Sequence, residues 1–405
     1  MEKKQAAYGS FEFALTPQEE MLEMLPKKGK LFLGVPKETS FQESRVALTP
    51  SGVALLVNNG HKVVVESQAG EKADFTDQEY AEAGAEIAFD TKRVFEAHII
   101  LKIAPPRQDE IELLQHDQII FSPLHLPTIT QEYLKNLQQK KVTALAYEYI
   151  KDESGAFPMV RTLSEIAGYT SILIAAEYLN NNKMGKGILL GGVSGVPPAK
   201  VLILGAGVVG EFATRAALGL GAEVRVFDNN IYKLLRLQNN VNVRVFTSII
   251  DPNILTEELK NADVVIGAIH SESGRSPVVV TDAMISNMKA GSVIVDVSID
   301  QGGCFETSRV TSHENPIFIR HDVIHYCVPN IASRVAKTAS SAMSHALVPL
   351  LLKAQEFGGF EKLLYNSMGT RHGVYVYKGI LTNQHLGQRF GITATNINLL
   401  MASSS

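Results

Sequence analysis

Residues 200–210 read KVLILGAGVVG, a short apolar run followed at once by a glycine-rich turn. The run from Lys200 to Leu204 has the length and composition of a buried strand. After the turn, apolar side chains share one face of a helix predicted over residues 208–220: Val209, Phe212, Ala213, Ala216 and Leu220. A strand, a glycine turn and a helix in this order predict the start of a βαβ unit.

The turn has the spacing Gly205, Gly207, Gly210, which is the dinucleotide-binding pattern when it joins a strand to a helix. The first glycine allows a tight turn, the second lets backbone N–H groups approach a pyrophosphate, and the third permits close helix packing. Asp228 ends the next strand, where a carboxylate accepts hydrogen bonds from a ribose and repels a 2′-phosphate. We therefore predict NAD as the cofactor; the alternative is a structural turn that binds nothing. Lys233 either contacts the adenosine or is a solvated surface lysine.

Apolar runs alternate with helical patterns on both sides of this motif. Seven further strands are predicted from the segments KLFLGVP (30–36), HKVVVE (61–66), AHIILKI (97–103), QIIFSPL (118–124), KVTALAYE (141–148), ADVVIGA (262–268) and GSVIVDV (291–297). Continuous apolar strands separated by helices predict mostly parallel sheets covered on both faces. A helix over residues 165–181 is expected to bridge two domains. Beyond residue 328 the pattern is helical, and this helix is expected to return to the first domain.

Composition limits the class of protein. The 405 residues are 45% hydrophobic and 20% charged, enough for two or three globular domains. A net charge of −4 provides no general field for nucleic acid or anionic lipid. The longest apolar stretches, such as residues 172–176, fall far short of the roughly 18 residues that a membrane-spanning helix needs. The first residues have no apolar signal segment, so we expect a cytoplasmic protein.

The two cysteines, Cys304 and Cys327, exclude a disulfide scaffold and a Cys-based zinc cluster. We expect them to be buried, reduced thiols, and no metal site is predicted.

Three segments together resemble one known family: residues 33–70, residues 189–210, and residues 291–308, which read GSVIVDVSIDQGGCFETS. They are similar to alanine dehydrogenase and to its relative, the NAD-binding alpha subunit of proton-translocating transhydrogenase. The resemblance extends over about residues 31–351. It implies an α/β fold of two doubly wound Rossmann-like domains, with the active site in the cleft between them. It also implies a homo-oligomer, commonly a hexamer.

The predicted boundaries follow from this resemblance and from the strand pattern. We expect an N-terminal extension over residues 1–30 and a NAD-binding domain over residues 161–335. A substrate domain is expected to combine residues 31–160 with residues 336–405.

The family's reaction is the reversible, NAD-dependent oxidative deamination of L-alanine to pyruvate and ammonia. By resemblance, Arg45 binds the substrate carboxylate, for which a guanidinium fork is well suited. His125 matches the family's catalytic histidine, and Asp300 matches the aspartate that helps to activate water or the amine. Ser164 matches a cofactor contact. The alternatives are an ion pair of Arg45 with a nearby glutamate, a turn cap for Asp300 and a helix N-cap for Ser164.

One position departs from the family pattern. Alanine dehydrogenases carry a substrate-binding lysine in a KVKEP-like segment, whereas residues 101–106 here read LKIAPP and place Ala104 at that position. A methyl group cannot polarise a substrate carbonyl or neutralise its charge. Lys102 lies on the same face of the strand about 7 Å away and is our substrate-binding candidate. Arg107 is the other cation that could reach the substrate.

Two hypotheses follow. The leading one is an NAD-dependent alanine dehydrogenase, or a near relative acting on another small 2-amino acid. The alternative, motivated by Ala104, is a catalytically impaired NAD-binding module, either a transhydrogenase-like subunit or an NAD sensor. The short connection between Asp228 and Asp263 and the retention of His125 favour the enzyme, because the transhydrogenase subunit usually has a long insertion there and lacks the histidine.

Overall fold

A computed structural model describes residues 29–402, except residues 127–128, 182–183 and 272–273. Residues 1–28, most of the predicted extension, therefore lie outside the described residues. The segments before the bridging helix are β1 (Phe32–Val35), α1 (Pro50–Asn58), β2 (Lys62–Glu66), α2 (Asp77–Glu82), β3 (Glu86–Ala88), α3 (Thr91–Val94), β4 (Ile99–Leu101), α4 (Gln108–Leu113), β5 (Ile119–Ser122), α5 (Gln131–Gln139) and β6 (Thr143–Ala146).

The bridging helix is α6 (Pro158–Leu179). It leads into β7 (Lys200–Leu204), α7 (Val208–Gly219), β8 (Glu223–Phe227), α8 (Ile231–Val241), β9 (Phe246–Ser248), α9 (Pro252–Asn261), β10 (Val264–Gly267), α10 (Asp282–Ile285), β11 (Val293–Asp296), β12 (Ile317–Arg320) and β13 (Val323–Tyr326). The final described segments are α11 (Ala336–Glu356), α12 (Phe360–Asn366), α13 (Met368–Arg371), β14 (Val374–Tyr377), β15 (Ile380–Leu381), α14 (Gln384–Phe390) and α15 (Ile397–Ala402).

The first lobe is built on an eight-stranded sheet in the order β15-β14-β6-β5-β4-β1-β2-β3. Strands β1 to β6 pair in parallel, and β14 joins β6 in the antiparallel direction. Helices cover both faces, which explains why strands such as β4 and β6 are buried along their whole length. Helix α11 returns to this lobe, where Met343, Leu347 and Leu351 pack into its core.

The second lobe is built on a seven-stranded sheet in the order β12-β13-β11-β10-β7-β8-β9, parallel except for β12. In both lobes the strand order reverses beside the first strand, between β1 and β4 and between β7 and β10. Such a reversal opens a crevice at the carboxyl ends of the strands, where ligands bind in open α/β sheets. The predicted α/β class with two doubly wound sheets is confirmed.

Two details of the prediction need correction. Helix α6 begins at Pro158 rather than near residue 165, because proline is well suited to the first position of a helix. Beyond residue 328 the chain is not only helical, since β14 and β15 form there. The β14 sequence, VYVY, is buried in full, because it completes the first sheet against β6.

Candidate active site

The loops at the carboxyl ends of the parallel strands carry the residues predicted to do chemistry. Arg45 follows β1, His125 follows β5 and Asp300 follows β11. The first two belong to the first lobe and the third to the second lobe. Asp300 lies near enough to both His125 and Arg45 for its charge to interact with theirs, and Asn330 bonds both Asp300 and Glu43, the partner of Arg45. The fold therefore brings these three side chains near one another where the two lobes meet.

Arg45 is held in place by Glu43. Its Nε and Nη2 donate to the two carboxylate oxygens of Glu43, at 2.8 and 2.7 Å, and only 7% of the arginine is exposed. Burial alone would lower the pKa of Arg45, but the Glu43 carboxylate outweighs burial and raises it. The ion pair that the sequence offered as an alternative therefore exists, although it is buried. It uses two of the five guanidinium N–H groups and leaves three for a second carboxylate.

Asp300 lies in the 3-10 turn Val297–Gln301, which directly follows β11. Its Oδ1 accepts a hydrogen bond from the backbone N–H of Asn330 at 2.8 Å. The side chain is open to solvent in the cleft, but protein surrounds it on most sides. This desolvation raises its pKa above the ordinary value, against the opposing effects of the Asn330 N–H, His125 and Arg45. Asp300 is thus poised to exchange a proton closer to neutrality than a solvated aspartate.

His125 occupies an unusual backbone position. Its φ angle is +51°, in the left-handed region that non-glycine residues seldom adopt. The backbone N–H groups of Leu124 and His125 both point at Oε1 of Glu148, at 2.6 and 3.4 Å. Glu148 follows β6, the neighbour of β5, and its carboxylate therefore anchors the turn that presents the imidazole to the cleft.

Sequence reasoning missed Glu148. Its Oε2 is buried and has no hydrogen-bond partner among the residues that the structure describes. Burial raises the pKa of Glu148 to about 7, and the backbone N–H groups only partly offset this effect. The signal in the sequence was an acid at the end of the predicted strand segment 141–148, at the sheet edge where the carboxyl ends of neighbouring parallel strands meet. Asn330, the partner of Asp300, was missed as well.

Lys102 does not face the cleft. It is 2% exposed, and its Nζ donates to Glu38 at 3.0 Å and to Glu110 at 2.8 Å. Burial lowers the pKa of Lys102, but the two carboxylates more than compensate and keep it charged. The predicted contact between Lys102 and substrate is therefore not supported by its surroundings, which make it the centre of a buried ion triad.

Neither Ala104 nor Arg107 provides the positive charge that the family pattern places at residue 104 to bind substrate. Ala104 is buried, and its backbone N–H is directed at Glu38. Arg107 is a surface residue that pairs with Asp109 and hydrogen-bonds the hydroxyl of Thr39. Of the three cations Lys102, Arg107 and Arg45, it is Arg45 whose charge interacts with Asp300.

The glycine turn after β7 has the shape of a dinucleotide cradle. A Cβ on Gly210 would lie 1.8 Å from the carbonyl oxygen of Gly205, and one on Gly205 would lie 2.4 Å from that of Ala268. These two glycines let backbone segments touch. Around Gly207, in contrast, a Cβ would meet nothing within 4 Å. Gly207 also precedes the first turn of α7, whose unpaired N–H groups face this open space and suit a pyrophosphate.

The other predicted cofactor residues lie around this cradle. Asp228 follows β8, and its oxygens accept the backbone N–H groups of Ala206 and Asn230, each at 2.7 Å. Each oxygen retains a lone pair for a ribose hydroxyl. Lys233 is exposed on α8. Ser164 is half-buried within the second turn of α6, which excludes the N-cap alternative because that helix starts at Pro158.

The protein has two doubly wound lobes, one with an open glycine cradle and the other with a buried arginine at its crevice. These features place it in the class of two-lobed α/β proteins with dinucleotide-binding topology. Residues 34–167 match the family described as "Alanine dehydrogenase/PNT, N-terminal domain", and residues 171–384 match "Alanine dehydrogenase/PNT, C-terminal domain". The chain belongs to the alanine dehydrogenase/PNT family.

Individual relatives agree with this assignment. The chain is 40% identical over 361 residues to an alanine dehydrogenase of Halomonas elongata, covering 89% of this chain and 97% of the relative. It is 40% identical over 357 residues to one of Methanococcus maripaludis, covering 86% and 95%. A solved L-alanine dehydrogenase superposes with a TM-score of 0.83 at 38% identity, covering 89% of this chain and 99% of that one. A transhydrogenase from Sinorhizobium meliloti shares the fold, with a TM-score of 0.74 at 24% identity over 87% of this chain and 99% of its own.

Within the described ranges, no helix is long and apolar enough to cross a bilayer.

Proposed function

We propose that this protein is an NAD-dependent alanine dehydrogenase, which catalyses the reversible oxidative deamination of L-alanine to pyruvate and ammonia. The observation that carries the proposal is the proximity of Arg45, His125 and Asp300 between the lobes, where Asn330 bonds both Asp300 and the glutamate that holds Arg45. Relatives at about 40% identity over nearly the whole chain bear that name, which supports the assignment.

Gly205, Gly207, Gly210 and Asp228 would hold NAD, with the pyrophosphate over Gly207 and the adenosine ribose at Asp228. When bound, NAD supplies the acceptor for the hydride that leaves the substrate α-carbon. Lys233 and Ser164 are further cofactor contacts in this proposal. The NAD-binding domain would comprise residues 161–335, and residues 31–160 with residues 336–405 would form the substrate domain.

Arg45 binds the substrate carboxylate through the N–H groups that Glu43 leaves free, and so fixes the α-carbon in the cleft. His125 accepts the proton of the water molecule that adds to the imine carbon, a general-base role that histidine fills more often than any other side chain. Asp300 orients the amino group and takes up its proton. Lys102 stabilises the first lobe rather than binding substrate. We further propose a cytoplasmic homo-oligomer, with a hexamer expected from the family.

The test is the formation of NADH, followed by its absorbance, with L-alanine and a panel of small 2-amino acids at alkaline pH. We expect turnover on L-alanine. His125→Asn, which retains a residue tolerant of the left-handed backbone, should lower kcat by about 10²- to 10⁴-fold. NAD affinity, measured by calorimetry, should stay within about twofold. An inactive wild-type protein, or an unimpaired variant, would overturn the proposal.

Ala104 favours one second candidate, a catalytically impaired NAD-binding module such as a transhydrogenase-like subunit or an NAD sensor. Ala104→Lys separates the two. In an impaired module the lysine should raise NADH formation from L-alanine by orders of magnitude from a negligible level. In a working dehydrogenase whose site is arranged around Arg45, the same change should lower kcat/KM, because it buries a second cation beside Glu38, which already pairs with Lys102.

A further inference from the structure

The carboxylate of Glu43 accepts hydrogen bonds from a residue of each lobe. Its buried carboxylate, 4% exposed, accepts three hydrogen bonds from Arg45: from Nε at 2.8 Å, from Nη2 at 2.7 Å and from the backbone N–H at 2.9 Å. A fourth comes from Nδ2 of Asn330 at 2.8 Å. Asn330 lies between β13 and the 3-10 turn Ile331–Val335, and its neighbour Ile331 packs into the core of the second lobe. The carboxylate that orients Arg45 is therefore anchored from across the cleft.

Asn330 contacts both sides of the cleft with different atoms. Its backbone N–H donates to Oδ1 of Asp300 at 2.8 Å, while its side-chain amide donates to Glu43 and to the backbone oxygen of Gln42 at 3.3 Å. The residue has a φ angle of +56°, which asparagine tolerates better than most side chains. One residue thus fixes the distance between Asp300 and Glu43, and through Glu43 the direction of the Arg45 guanidinium.

We propose that Glu43 and Asn330 act as a pair of positioning residues that couple docking of the second lobe to orientation of Arg45. This inference rests on the proposed function for the identity of the carboxylate that Arg45 receives. When the lobes separate, Glu43 loses its fourth hydrogen bond and Asp300 moves away from Arg45. Because linkage is reciprocal, the docked lobe favours carboxylate binding, and a bound carboxylate favours docking.

A simpler role for Glu43 is local charge compensation of Arg45, in which Asn330 has no part. Asn330→Gly distinguishes the two, because glycine accepts the same backbone conformation and keeps the N–H that bonds Asp300. Coupling predicts that KM for L-alanine rises about tenfold or more, with kcat changed less than about threefold. NAD affinity without substrate should not change. Local compensation predicts an unchanged KM.

The second arm is a double-mutant cycle. In the background of Glu43→Gln, whose amide cannot accept all four hydrogen bonds, Asn330→Gly should have little further effect on KM. Asn330→Asp places a second carboxylate against Glu43 and should raise KM more than the glycine variant does. Independent effects of Glu43→Gln and Asn330→Gly would overturn the proposal.

A matched control breaks another bond between the lobes. Oε1 of Gln42 accepts the backbone N–H of His313 at 2.8 Å. Gln42→Asn keeps a side chain suited to the φ angle of +63° there but is too short for that bond. It should leave KM within about twofold of wild type. An equal rise in KM would attribute the effect to loosened lobes in general and overturn the specific role of Glu43 and Asn330.

A last measurement does not depend on turnover. Hydrogen exchange of the peptide that contains Arg45, followed by mass spectrometry, should become about tenfold faster in Asn330→Gly and remain unchanged in Gln42→Asn. If wild type fails to oxidise L-alanine but shows this pattern, the proposed function fails and the positioning pair stands. Unchanged exchange in Asn330→Gly overturns the positioning pair, whatever the substrate is.

Discussion

Glu148 shows how one buried carboxyl group serves the turn that carries His125. One of its oxygens collects two backbone N–H groups, and the other is buried without a partner in the described part of the chain. Burial removes water from the ionised carboxylate, and the hydrogen bonds that it accepts from the protein replace that water only in part. This is why the pKa of Glu148 is raised to about 7.

This pKa predicts a pH-dependent stability. The folded state holds the proton of Glu148 more tightly than the unfolded state does. The contribution of the protonated Glu148 to the free energy of unfolding is therefore fully present below about pH 4.5 and is lost as the pH rises through about 7. Between pH 5 and pH 8 the loss amounts to about 2 to 3 kcal/mol. Glu148→Gln keeps an acceptor oxygen but cannot ionise, so its free energy of unfolding should fall less over this range. Urea unfolding of both proteins at the two pH values measures the difference, and equal slopes would contradict the assignment.

At the scale of single residues, the sequence located side chains but not their partners. Arg45, His125 and Asp300 stand in contiguous motifs, so the order of amino acids is enough to identify them. The pairing of Arg45 with a nearby glutamate was foreseen as an alternative, but the bond from Asn330 to Glu43 joins residues 287 positions apart. The bonds of Glu148 likewise come from the turn after a neighbouring strand, and no local pattern encodes either contact. Lys102 illustrates the converse error. Its place on the strand was predicted, but its burial between Glu38 and Glu110 depends on the loop after β1 and on α4.

Among the elements, the strand, turn and helix from β7 to α7 were predicted with bounds correct to one residue. The glycine pattern there is local, and at Gly205 and Gly210 it is set by backbone contacts that admit no Cβ. The strand β14 was not predicted, because its pairing partner β6 lies some 230 residues earlier in the chain. A short segment such as VYVY forms a strand only when an open sheet edge receives it.

The two ends of helix α7 provide a matched pair of substitutions. Gly210→Ala would place a methyl group on the carbonyl of Gly205, so α7 must move away from the turn. We expect a loss of about 1 to 3 kcal/mol in stability and at least a tenfold weaker affinity for NAD. Gly219→Ala, where a Cβ meets nothing within 4 Å, should leave NAD affinity unchanged and add up to about 1 kcal/mol. Thermal unfolding and calorimetry test both, and equal behaviour of the two variants would refute the cradle.

For the molecule as a whole, the order of the first sheet implies that residues late in the chain complete a structure begun early. A chain ended after Asn366 loses β14 and β15 and the buried side chains Tyr375, Val376 and Leu381. It also leaves β6 as an open edge, which favours aggregation. We expect little soluble protein. A chain ended after Asn396, which lacks only α15, should stay soluble with a modestly lower Tm. Size-exclusion chromatography and thermal unfolding decide between these outcomes.

The return of the chain to its first sheet also bears on how the protein is made. A ribosome releases the polypeptide from the amino end, and domains usually fold as they emerge. The strands of the seven-stranded sheet are consecutive in the sequence, so this sheet can form once residue 326 has been synthesised. The eight-stranded sheet also needs residues 374–381. The second lobe therefore folds before the first, although it is synthesised after strands β1 to β6. Until residues 374–381 appear, β6 remains an unpaired edge of the first sheet. A chaperone that shields β6 during this interval would act before the enzyme's cleft exists.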